Sequence, residues 1–181
     1  MDDLGSGYSS LRRLSSLPFD TIKIDQSLTL NLRRAPLMSL PLIRAIVQLG
    51  ADLERHVVVE GLEDRGMIEA ALALGAAQGQ GHALAPPLAP EAFVEWLGSY
   101  TPPVRPGRVD TFLGALAHHW MRLQAGPGSA VRAKSVVGAF LAARGLREAA
   151  AWHADGGREA GQRLLAWLVE RVGEEGAARL T

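Results

Sequence analysis

Over its first hundred residues the chain alternates between the apolar period of a helix and that of a strand, which restricts the folds open to it more than any other feature. Ser9 or Ser10 can cap a helix through Leu11, Leu14 and Leu17, which Pro18 stops. From Phe19 to Asp25, Ile22 and Ile24 alternate with Thr21, Lys23 and Asp25, the period of a short strand. Ser39 then precedes a helical stripe of Leu42, Ile43, Ile46, Val47, Leu49 and Leu53. Val57-Val58-Val59 is a β-branched run suited to a strand buried on both faces. A third helix is expected from Asp64 to Leu74, with Gly75 as its stop. A weak strand over Ala76–Gly81 and a helix opened by Pro90 and running from Glu91 to Trp96 complete the series. Strands separated by helical crossovers predict an α/β fold with a parallel sheet.

Thr101 to Arg108 breaks the pattern, because Pro102, Pro103, Pro106 and Gly107 leave no room for a helix or a central strand. The expected organisation is therefore a first unit over 1–100, a linker over 101–108 and a helical module over 109–181. Val109, Phe112, Leu113, Leu116, Trp120 and Met121 share one helical face. Val136, Val137, Phe140 and Leu141 mark a second helix ending near Trp152, and Leu164, Leu165, Trp167, Leu168 and Val172 a third. The net charge of zero conceals a sign change at the break: the first hundred residues hold 8 basic and 12 acidic side chains, the rest 11 and 7. Neither half is basic enough to favour a nucleic-acid duplex as partner. Cysteine is absent, which excludes a disulfide scaffold and thiolate zinc sites. No apolar run approaches the roughly 20 residues of a membrane span, and Met1-Asp2-Asp3 does not open a signal peptide, so a cytoplasmic location is expected.

The polar residues of the first unit cluster. Asp2 and Asp3 precede a Gly5-Ser6-Gly7 turn, Lys23 and Asp25 end one strand, Glu60 and Glu63 follow the next, and Gln80-Gly81 follow the last. Residues at the C-terminal ends of parallel strands are where α/β barrels place their chemistry. Paired carboxylates there suit hard divalent cations. Lys23 is one of only two lysines, the other being Lys134. A functional lysine on an apolar strand in so arginine-biased a chain is the sharper reading. His118, His119 and His153 lack the HxxxH or HExxH spacing of a helical metal site, and packing or a solvated position is their expected role.

These clusters carry a family resemblance. Asp2-Asp3-Leu4-Gly5-Ser6-Gly7-Tyr8-Ser9-Ser10-Leu11 resembles the DDFGTGYSSL signature of EAL-domain cyclic di-GMP phosphodiesterases. Phe19 to Asp25 resembles that family's VDTLKID strand, Val59 to Glu63 its AEGVE motif, and Gln80-Gly81 with Pro86-Pro87-Leu88 its closing segments. The four motifs stand in family order over residues 1 to about 100. The resemblance implies the last three or so units of a (β/α)8 TIM-like barrel and, with it, hydrolysis of cyclic di-GMP to pGpG at a site of two Mg²⁺ or Mn²⁺ ions in bacterial signalling. By the same resemblance Asp2, Asp3 and Glu60 would hold metal. Lys23, supported by Asp25, would position the attacking water. Glu63, Gln80, Gly5, Gly7 and Pro87 would order metal, loop and substrate. Cyclic di-GMP is the implied partner, alongside a homodimer or upstream regulatory domains.

The sequence departs from the family pattern at Leu4, Ser6, Val59, His82 and Pro86. The family's Glu-Ala-Leu strand and two further metal ligands belong upstream of the DDFG-like signature, where this chain begins. Three strands cannot close an eight-stranded barrel, and half a ligand set binds metal weakly. The expectation is therefore a phosphodiesterase fragment without appreciable activity as this chain alone. The alternative is a degenerate remnant that binds cyclic di-GMP or a protein without cleaving it.

Overall fold

The computed structural model describes residues 19–102, 104, 107–125 and 130–178. The helix expected through Leu11, Leu14 and Leu17 lies outside them. Strand β1 (Thr21–Ile24) buries Ile22 and Ile24 completely and leaves Thr21 and Lys23 half-buried, as its two-residue period requires. Asp25 then caps a five-residue helix α1 (Gln26–Leu30), which runs into a 3-10 turn (Asn31–Arg33). Neither had been expected, because elements this short hold no full hydrophobic period. Helix α2 (Pro36–Asp52) starts at Pro36, where the fixed φ of proline suits the first turn. Ser39, expected to precede this helix, is buried within it.

Strand β2 (His56–Val59) lies parallel to β1, with Ile22 opposite Val57 and Ile24 opposite Val59. Asp64 caps helix α3 (Arg65–Ala73), its carboxylate accepting from the Met67 backbone N–H at 3.1 Å. Strand β3 is only Gln78–Gly79, shorter than the expected Ala76–Gly81, and is parallel to β2 with Val59 opposite Gly79. The sheet order β1-β2-β3 follows the chain, as helical crossovers between parallel neighbours dictate. Helix α4 (Pro90–Ser99) buries none of its residues and stacks Phe93 on Trp96 and Trp96 on Tyr100.

From Phe112 on, the described residues form helices α5 (Phe112–Gln124), α6 (Ala130–Ala143), α7 (Arg147–Asp155) and α8 (Arg158–Ala177). The sequence reading of three helices is corrected to four among the described residues. The expected second helix is interrupted at Gly145, whose φ of 68° belongs to the left-handed region that ends helices. Leu146 then turns back with its N–H donating to the Leu141 carbonyl at 3.0 Å.

The sheet and the helical part share one core, running from Ile22 and Ile24 through Ile68 and Ala70 to Leu113, Leu116, Leu164 and Leu168. α3 packs on α5, and α5 packs on both α6 and α8. At the first junction sits Glu69, 2% exposed. It accepts from the Asp110 and Thr111 backbone N–H groups at 3.0 and 3.1 Å, from the Thr111 hydroxyl at 2.7 Å and from Arg65 Nε at 2.9 Å. A buried carboxylate so fully satisfied costs far less than an unpaired one. Gly114 makes the approach possible, since a Cβ there would lie 2.3 Å from Glu69 Oε2. His119 and His153 are buried in the helical core, where His119 Nε2 meets the Gly161 carbonyl at 2.8 Å, in keeping with a packing role. Burial holds the His119 imidazole down to a pKa of about 4. No helix among the described residues is long and apolar enough to cross a membrane.

Candidate functional site at the strand ends

The parallel register brings the C-terminal ends of β1 and β2 side by side, and the charged residues there meet. Lys23 Nζ forms an ion pair with Glu60 Oε1. Lys23 points away from the core because Ile22 and Ile24 occupy the other face of β1. Glu60 continues the ladder one step past β2, its N–H donating to the Ile24 carbonyl at 3.2 Å. The pair is partly shielded, with side chains 33% and 16% exposed, so water does not fully screen it.

The backbone just past β2 is fixed on both sides. The Gln80 N–H donates to the Val59 carbonyl at 2.8 Å, and the Leu62 N–H to the Gln80 carbonyl at 3.0 Å. Between them Gly61 takes φ 68°, and a Cβ on it would stand 2.7 Å from Gln26 Cβ. Only glycine fits both demands, and this turn sets where the Glu60 and Glu63 side chains emerge.

Glu63 Oε2 lies 3.0 Å from His82 Nδ1 in a contact open to solvent. Asp25 faces the other way along the chain: it accepts from the Ser27 N–H at 2.8 Å to cap α1. Bonds from the Ser27 side chain and then its backbone hold the Asp25 carboxyl below the usual carboxylate range. The Gln80 side chain is exposed, and Pro87 is exposed in the connection from β3 to α4. The structure thus joins Lys23 to Glu60 and Glu63 to His82, while Asp25 serves a helix end. Asp2, Asp3, Gly5 and Gly7 lie outside the described residues.

Sequence reasoning missed Arg33 and Asp64 beside this rim. Arg33 donates from Nε and Nη2 to Asp64 Oδ2 at 2.8 and 2.5 Å, tying the turn after α1 to the start of α3. The only sequence signal was the N-cap position of Asp64. The described carboxylates do not by themselves fit a divalent ion, because no three of His, Asp and Glu converge on one point among the described residues. A cation at Glu60 would need donors from outside those residues.

A parallel α/β sheet with a lysine–carboxylate pair at adjoining strand ends defines a site of the kind on which α/β enzymes build their chemistry. Residues 1–87 match the EAL domain. A cyclic di-GMP phosphodiesterase of Pseudomonas aeruginosa is 37% identical over 97 residues, 54% of this chain and 16% of that protein. The cyclic di-GMP phosphodiesterase PdeR of Escherichia coli is 36% identical over 100 residues, 55% of this chain and 15% of its own length. RocR, another cyclic di-GMP phosphodiesterase of Pseudomonas aeruginosa, is 35% identical over 96 residues, 53% and 24% of the two chains. The match therefore spans at most 24% of the length of these relatives.

Proposed function

We propose that residues 1–87 contribute part of the active-site rim of a metal-dependent cyclic di-GMP phosphodiesterase that releases pGpG, and that this chain alone turns the substrate over little. β1, β2 and β3 are read as consecutive strands of a (β/α)8 barrel. The observation carrying the reading is the Lys23–Glu60 pair across adjoining parallel strand ends, inside the segment that matches the EAL domain. In this reading Glu60, Asp2 and Asp3 are the residues that would hold Mg²⁺ or Mn²⁺. Such ions supply charge for a phosphodiester and a bound water of lowered pKa. Lys23, the cation beside Glu60, would position an attacking water, and Asp25 holds the chain where β1 passes into α1. Glu63, Gln80 and Pro87 line the approach of the dinucleotide. Low turnover follows from the commitments of the described carboxylates: Glu60 to Lys23, Glu63 to His82 and Asp25 to a helix cap. Ions that want six or more oxygens are poorly served by these groups.

Those commitments also favour a second reading, a module that holds cyclic di-GMP without cleaving it. Chromatography of cyclic di-GMP incubated with the purified chain and Mn²⁺, run beside calorimetry, distinguishes the two. Slow pGpG formation that Glu60→Gln abolishes supports the first. Binding with pGpG at the uncatalysed level selects the second. Rapid pGpG formation indifferent to Glu60 and Lys23 contradicts both.

A further inference from the structure

We propose that the helical part carries its own ligand site, a cavity of about 620 Å³ where the 107–110 stretch meets α6, and that it takes a small carboxylate with an apolar body. Its size falls within the usual range of small-molecule sites. Val109, Val136 and Phe140 give it apolar walls, while Arg108 and Arg144 converge on it.

The charges around it do not cancel. The Asp110 carboxylate already accepts from Arg65 Nη2 and, at 2.9 Å, from Arg108 Nε. Glu69 is satisfied by Arg65 and Thr111. Counting Arg65, Arg108 and Arg144 against Asp110 and Glu69 gives 3 − 2 = +1. The excess sits on Arg144, which pairs with no carboxylate among the described residues. Its Nη2 donates to the Asp110 backbone carbonyl. Its guanidinium lies 4.9 and 5.2 Å from the ring centroids of Phe140 and Phe112, within cation–π reach of both. A guanidinium has five N–H donors in a fixed fork that matches a carboxylate. Arg144 is therefore pre-oriented and keeps donors to spare at the mouth of an apolar cavity. The walls select an anion with an aromatic or branched aliphatic body over a bare inorganic one. This site belongs to neither strand end, and its test is independent of cyclic di-GMP.

Benzoate is the probe, with benzamide as its neutral isostere and inorganic phosphate as the anion lacking an apolar body. Ligand-observed NMR on the whole chain should show benzoate binding at millimolar concentration. Benzamide and phosphate should each bind at least tenfold more weakly, and Arg144→Gln should weaken benzoate at least tenfold with an unchanged circular dichroism spectrum. Should Arg144→Gln fail to fold, Arg108→Gln at the exposed rim is expected to weaken benzoate severalfold, and the benzamide comparison needs no variant. No benzoate binding, equal binding of benzamide, or equal competition by phosphate would overturn the proposal.

Discussion

Gly61 is the residue on which the strand-end site depends most sharply. Its positive φ and the 2.7 Å approach to Gln26 leave no room for a side chain. Gly61→Ala should cost about 1–3 kcal/mol, read as a lower urea midpoint, and should displace Glu60 from Lys23. An unchanged midpoint would show that the turn relaxes freely. Lys23 and Glu60 were legible in the sequence, because a two-residue period places Lys23 off the core face and a β-branched run leads straight to Glu60. Asp25 was legible as polar but not as a cap. Its role depends on α1, a helix too short to leave a periodic signature. Glu63 and His82 were each singled out, but their contact was not, since it depends on the loop after β3 folding back.

Among the described residues, elements meet at buried polar groups that hydrophobic patterns do not reveal, Glu69 and His119 among them. Glu69 is one polar letter in the apolar stretch of α3, and nothing local says that it reaches the backbone 41 and 42 residues ahead. Glu69→Ala leaves the Thr111 hydroxyl and two N–H groups buried without their acceptor and should cost on the order of 3 kcal/mol in urea denaturation. A loss below about 0.5 kcal/mol would mean that water replaces the carboxylate. His119 joins α5 to α8 at Gly161. Its folded pKa of about 4 lies below its ordinary 6.5, so the unfolded chain takes up the proton first as pH falls. Stability from this group is therefore complete above pH ~6.5 and drains away towards pH ~4, on the order of 3 kcal/mol in all. Denaturation at pH 7 and pH 4.5 should show a loss that His119→Gln largely removes, and equal pH dependence in the two proteins would contradict it. The four-helix ending was misread as three because Gly145 and Leu146 interrupt an apolar stripe that continues on either side.

At the scale of the whole molecule, the described residues share one core rather than two, since α3, within the stretch that matches the EAL domain, is packed directly on α5. Chain punctuation suggested a linker at 101–108, but composition does not report whether flanking units touch. Urea unfolding followed by tryptophan fluorescence and by far-ultraviolet circular dichroism should therefore give one coincident transition, whereas separated transitions would mean that the helical part unfolds by itself. The parallel α/β order was readable because strand and helix periods differ so strongly. The short β3 was not, as two residues carry no period.

The central claim is that the Lys23–Glu60 rim serves cyclic di-GMP, and calorimetric titration of the purified chain with cyclic di-GMP in the presence of Mn²⁺ tests it most directly. The account predicts saturable binding that Lys23→Ala and Glu60→Gln each weaken at least tenfold, about 1.4 kcal/mol, while both variants stay folded. Absence of binding by the folded chain, or binding indifferent to both substitutions, would contradict it.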